Sequence, residues 1–178
     1  MTMFYLAIEP PRDVATRIAG VMELLGDRSP IPHVTVRAPA ELSAQVGWLP
    51  RVREAAARAT AFAVTIGHLG TFGDRVLYLT IESAGLLSLR QDVLGAFGSG
   101  HELTGESLDD RPFVPHLTVC VARGRRSLPP YEDLVAPLRS LPPFDVVGLT
   151  VFRRENLSSP YRAWKRLPLA NPGPRPPT

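Results

Sequence analysis

The sequence predicts an α+β fold built on mainly antiparallel sheet. Three observations carry this. Short runs rich in Val, Ile, Thr and Phe recur at 3–8, 33–38, 62–66, 76–81, 113–121, 144–152 and 161–169, each with the composition or alternation of a strand. Amphipathic helical runs separate several of them. Gly73-Asp74 stands between two strand-like runs as a turn, so 76–81 is expected to return antiparallel to the strand before it. The order strand, helix, strand, helix, strand occurs twice, the second time with a closing strand. A duplicated chain of this kind would form two equivalent lobes with helices outside the sheets.

Element by element, 3–8 is the first strand, and Pro10-Pro11 opens a helix, as proline at a first helical turn allows. Val14, Ile18, Met22 and Leu25 then share one helical face, and Gly26 marks its end. Residues 27–32 form a loop before the strand 33–38. Residues 41–59 read as helical, with Pro50 breaking or restarting the helix. Leu86, Leu89, Val93 and Phe97 mark a further helix that stops near Gly98. The polar stretch 98–111 is a long loop, and long loops are often functional. Residues 130–138 are expected to form a helix that ends or kinks at Pro137, and 144–152 and 161–169 two last strands. Residues 1–169 are expected to form a single domain, and the Pro-rich residues 170–178 a disordered tail.

Two of these strands carry one signature. The first is Ile31-Pro32-His33-Val34-Thr35-Val36-Arg37 and the second is Val114-Pro115-His116-Leu117-Thr118-Val119-Cys120-Val121. Side chains alternate between the faces of a strand. On that count Val34, Val36, Leu117, Val119 and Val121 face a core. His33, Thr35 and Arg37, and likewise His116, Thr118 and Cys120, face the other way. A lone strand histidine is more often packed than catalytic. Here, however, two of the chain's four histidines repeat the same Pro-His-x-Thr-Val pattern, which favours a paired site.

Composition bounds the rest. A chain of 178 residues buries a sizeable core without metals or disulfides. The single cysteine, Cys120, excludes an intramolecular disulfide. With no leader-like segment, it leads to the expectation of a reducing, cytoplasmic setting. No apolar run is long enough to span a bilayer. The net charge is +3, and of the 20 basic residues only Lys165 is lysine. Arginine forks match phosphate oxygens, although GC-rich codon use would also favour arginine. A charge of +3 is by itself a weak argument for nucleic acid.

Two facing histidines can serve one substrate as general base and general acid, because imidazole titrates near neutrality. Two neighbouring hydroxyls can hydrogen-bond the oxygens of a tetrahedral anion, and Arg37 would add a charged contact. This set suits a phosphodiester. His-x-Thr lacks the further ligands of a zinc site. His68 and His101 would complete one only if the fold gathered them. A Cys120 nucleophile is a lesser alternative, since side chains two apart on a strand splay. The sequence holds no Walker-type loop and no dinucleotide fingerprint.

With both motifs in view, the chain resembles the 2H phosphoesterase superfamily, which includes 2′-5′ RNA ligases and RNA 2′,3′-cyclic phosphodiesterases. The resemblance spans about residues 3–169: the opening strand, Pro32-His33-Val34-Thr35-Val36, Pro115-His116-Leu117-Thr118-Val119, and a closing strand through Trp164. It implies a bilobal α+β fold with a pseudo-twofold axis and a central cleft carrying both His-x-Thr motifs. It implies metal-independent and cofactor-independent chemistry on RNA ends or nucleotides bearing a 2′,3′-cyclic phosphate. His116 maps onto the base, His33 onto the acid, and Thr35 and Thr118 onto the phosphate-binding hydroxyls. The chain departs from the pattern at Arg37-Ala38-Pro39, where many relatives have an aromatic residue and Leu-Gly. It departs again after Thr118, where Arg123 lies two positions later than the usual arginine. ATP-independent 2′-5′ RNA joining and non-catalytic RNA or nucleotide binding remain the alternatives. A monomer without membrane attachment is expected.

Overall fold

The computed structural model describes residues 2–27, 31–38, 42, 45–97, 113–124 and 126–170. The chain begins with β1 (Met3–Ile8), α1 (Arg12–Leu24) and β2 (Val34–Arg37). Val14, Ile18, Val21 and Met22 form the buried stripe of α1. Gly26, at φ 98°, ends it, and Asp27 N–H reaches back to the Met22 carbonyl. A 3₁₀ turn over Val46–Trp48 leads into α2 (Leu49–Arg58). Pro50 starts this helix rather than breaking it, because its missing N–H is not needed in the first turn. Residues 41, 43 and 44 of the expected longer helix lie outside the described residues.

β3 (Phe62–Phe72) runs well past the expected 62–66 and pairs antiparallel with β4 (Val76–Glu82). Gly73 turns between them at φ 57°, a conformation that favours glycine. Ser83 caps α3 (Ala84–Gly95) by accepting a hydrogen bond from Leu86 N–H. Residues 98–112, including the expected loop and His101, lie outside the described residues. β5 (His116–Val121) follows.

The last third differs from expectation in three places. Residues 130–138 form turns ending in a 3₁₀ turn, Ala136–Leu138. Pro129, Pro130 and Pro137 leave too few N–H groups for a regular helix, yet Val135 and Leu138 still bury their side chains. The expected single strand 144–152 is two, β6 (Phe144–Val146) and β7 (Gly148–Arg154), which break at the exposed Val147. After β8 (Arg162–Pro168), Ala170 belongs to the fold and not to a tail. Its N–H bonds the Ala59 carbonyl at 2.8 Å, and its carbonyl accepts from Ala61 N–H at 2.9 Å. Residues 171–178 lie outside the described residues.

Among the described residues, the eight strands form an antiparallel sheet in the order β6-β3-β4-β5-β2-β1-β7-β8. β6 and β7 are one residue apart in sequence but far apart in this order. The ends of the sheet therefore curl towards each other into a half-barrel. The helices pack on one face, where Leu6, Ile8, Val34, Val36, Leu77, Leu79, Leu117 and Val119 join Ile18, Val52, Leu86, Leu89 and Trp48 in the main core. Phe4 meets the Trp48 ring edge-on there, with centroids 5.6 Å apart.

The repeated unit is shorter than a full half of the chain. β1–α1–β2 and β4–α3–β5 match, and their histidine strands lie side by side in the middle of the sheet. The strands that follow them cross over: β3 joins β4, and β7 joins β1. No helix among the described residues is long and apolar enough to cross a membrane.

Candidate active site

β2 and β5 pair antiparallel with Val34 opposite Leu117. One step either side of that pair, His33 stands opposite Thr118 and Thr35 opposite His116. Val34 and Leu117 are wholly buried on the helix side, so the four polar side chains share the other face. Directly opposed side chains have Cβ atoms about 4.5–5.5 Å apart. This register sets each histidine across from the other motif's threonine, on one face at the centre of the sheet.

Both imidazoles are held the same way. His33 Nδ1 lies 2.6 Å from the Ile31 carbonyl oxygen, and His116 Nδ1 lies 2.7 Å from that of Val114. A carbonyl only accepts, so each Nδ1 carries the hydrogen and donates it. Each Nε2 is left to take or give a proton. The sequence explains the shared geometry: a proline precedes each histidine and holds the residue before it extended. The carbonyl two residues upstream is thereby fixed under the ring.

Aromatic rings bed both histidines. Tyr5 lies 5.0 Å from the His33 ring and stacks on Phe152 at 4.6 Å. Tyr161 meets Tyr5 edge-on at 4.7 Å. On the other side Phe72 and Tyr78 present edges to His116 at 5.0 and 5.4 Å. Burial holds His33 below the usual imidazole pKa, and the neighbouring His116 adds to this. The bond to Ile31 and the carboxylate of Glu9 oppose it. Burial, with help from Glu9, pushes the Tyr5 phenol up, so Tyr5 is a neutral wall of the site.

Two expected members are elsewhere. Arg37 is 4% exposed, and its guanidinium lies over the Phe97 ring, 4.2 Å from the centroid, on the helix side. Cys120 is 8% exposed within the main core. The cause is a β-bulge at the same place in each motif. β1 pairs Leu6 with Arg37 but the adjacent Ala7 with Thr35, and β4 pairs Leu77 with Cys120 but Tyr78 with Thr118. Val36 and Val119 are the extra residues. Alternation resets there, so Val36 and Arg37, and likewise Val119 and Cys120, turn inward together. Val121, expected inside, is 39% exposed for the same reason.

The sheet also brings in residues that the motifs did not announce. Thr80 pairs with His116 across β4 and β5 and bonds the carbonyl of His68 at 3.2 Å. Glu9 follows β1 on the His33 side; it accepts from Thr150 Oγ1 at 2.6 Å and from Arg166 Nη2 at 3.3 Å. Continuing the alternation of Tyr5 and Ala7 by one step would have found Glu9. Tyr161 lies on this face, whereas Phe4 and Trp164 pack together at 5.4 Å on the main core. Arg123 is exposed in the turn after β5. Among the described residues no three His, Cys, Asp or Glu side chains cluster closely enough to hold a metal ion.

Comparison with known proteins places this geometry. A Thermus thermophilus protein of known structure superposes with a TM-score of 0.69 at 20% identity, over 96% of this chain and 99% of that one. E. coli LigT in its apo form gives 0.66 at 18% identity over the same shares. At these identities the likeness is one of fold. An RNA 2′,3′-cyclic phosphodiesterase of Geobacillus stearothermophilus is 35% identical over 124 residues, which is 64% of this chain and 37% of that protein. The chain thus matches little more than a third of that relative's length. The profile of the 2′-5′ RNA ligase superfamily matches residues 10–157, most of the chain and both His-x-Thr strands. The chain therefore belongs to the 2′-5′ RNA ligase superfamily, the group of 2H phosphoesterases that its two motifs resemble.

Proposed function

We propose that the protein is a metal-independent phosphodiesterase that opens 2′,3′-cyclic phosphates at RNA ends or on nucleotides. In this reading residues 1–169 act as one domain. The two strand–helix–His-strand units are lobes related by a pseudo-twofold axis, and the cleft between them receives the phosphate. His116 Nε2 takes a proton from water as the water oxygen attacks phosphorus. The bond from phosphorus to one ribose oxygen breaks, and His33 Nε2 protonates that oxygen. Thr35 and Thr118 donate hydrogen bonds to the non-bridging oxygens, where negative charge gathers. Arg37, stacked on Phe97, is not part of this set.

The observation that carries the reading is the paired anchoring of the imidazoles. Both present Nε2 on one face, each beside a threonine. The Geobacillus relative's name supports the substrate class. Burial works against the imidazolium that the acid step needs, and an arriving phosphate anion favours it.

A second reading uses the same groups. If a ribose 5′-hydroxyl replaces water as nucleophile, the product is a 2′-5′ linkage and no nucleotide cofactor is consumed; the superfamily's description favours keeping it. Incubation with a nucleoside 2′,3′-cyclic phosphate in EDTA without ATP tests both. Turnover is expected, and His33→Ala or His116→Ala should lower it about 10²–10⁴-fold. Adding 5′-hydroxyl RNA separates joining from hydrolysis by product. Nucleotide binding with no turnover of any substrate would instead indicate a binding module.

A further inference from the structure

We propose that Glu9 is a positioning residue that keeps His33 able to carry a proton, held in place by Thr150 and tempered by Arg166. The argument starts from register. β1 and β2 pair Ile8 with Val34, so the next step sets Glu9 opposite His33. Tyr5 and Ala7 already lie on the His33 face, and Glu9 continues their alternation. The carboxylate is not loose. Thr150, 3% exposed, donates to Oε2 at 2.6 Å, and Arg166 adds a longer contact to the same oxygen at 3.3 Å. Thr150 is also opposite Ala7 and Arg166 opposite Thr150, so one cross-strand row fixes the carboxylate beside the imidazole.

His33 needs such a group. It sits part-buried on Tyr5 and Phe152, and that burial disfavours its cation. Among the described residues, the ionisable and charged groups around it are Tyr5 of β1 and Glu9 just after it, His116 of β5, Tyr161 ahead of β8 with Arg154 of β7 over its ring, and Arg166 behind Glu9. Tyr5 is neutral, and His116 opposes a charge on His33. Glu9 is the anion among them that favours it. Arg166 partly offsets Glu9, so the two predict opposite effects.

The consequence for catalysis rests on the acid role given to His33 above; the coupling itself does not. The test is an NMR titration of both imidazoles in the full chain, which needs no turnover. Glu9→Gln should move the His33 titration to lower pH and leave His116 nearly unmoved. Glu9→Asp should restore part of the shift. Arg166→Gln, on an exposed side chain, should move His33 to higher pH, and it decides the matter even if Glu9→Gln fails to fold. Unchanged His33 titration in Arg166→Gln and in folded Glu9→Gln would overturn the proposal. If the shifts appear, the pH optimum of kcat/KM should move to lower pH in Glu9→Gln. Shifts without any turnover would leave the coupling standing and reject only the catalytic reading.

Discussion

At the scale of single residues, the proposed chemistry depends on which nitrogen of each histidine is left to exchange a proton. Two carbonyls, of Ile31 and Val114, settle this for both histidines. The hydroxyls beside them have a separate part. Thr35→Val or Thr118→Val keeps the shape and removes one donor to an anion, a loss of about 1.5–3 kcal/mol. That corresponds to roughly 10- to 150-fold in kcat/KM, and the serine variants should recover most of it. Cys120→Ala should leave kcat/KM within a few-fold, because the thiol lies in the core and not beside His116. A large loss there would revive the thiol nucleophile. His33 also links pH to stability. Its pKa in the fold lies below the ordinary 6.5, so its contribution is fully present above pH 6.5 and is lost as pH falls from there through the folded value. Melting curves across pH 5–7 should show that loss in the wild type and a flatter profile in His33→Gln.

Strands and helices show where a sequence can be read and where it cannot. The histidines and threonines were legible because period-two alternation holds from His33 to Thr35 and from His116 to Thr118. It fails one residue later in both strands, since a bulge leaves no composition mark when the extra residue is another valine. Arg37 and Cys120 were misplaced for that one reason. Pro50 was ambiguous because proline both breaks and begins helices, and only tertiary packing of Trp48 and Val52 decides. Two glycines test the packing of helices directly. Gly20, inside α1, has open space where a Cβ would be, so Gly20→Ala should raise stability by about 0.4–1 kcal/mol. Gly85, in the first turn of α3, has the Phe62 side chain occupying that position. Gly85→Ala should therefore destabilise the fold by about 1–3 kcal/mol through overpacking, despite alanine's better helix propensity, and a lowered melting temperature would report it.

Across the whole molecule, the α+β class and the antiparallel pairing were legible, and so were the two histidine strands. The β3–β4 hairpin was read from its Gly73-Asp74 turn, whereas the pairing of β7 with β1 was not. Strand partners separated by most of the chain leave no local signal, and the split at Val147 depends on the sheet curling until its ends meet. The strand order sets β2 and β5 side by side and brings two motifs 83 positions apart, His33 to His116, into one candidate site. The most direct test is the pH dependence of kcat/KM on a nucleoside 2′,3′-cyclic phosphate for the wild type, His33→Ala and His116→Ala. The account predicts a bell for the wild type. His33→Ala should keep only the rising limb, and His116→Ala only the falling one. A flat wild-type profile between pH 5 and 8, or the same bell in both variants, would contradict an acid–base pair.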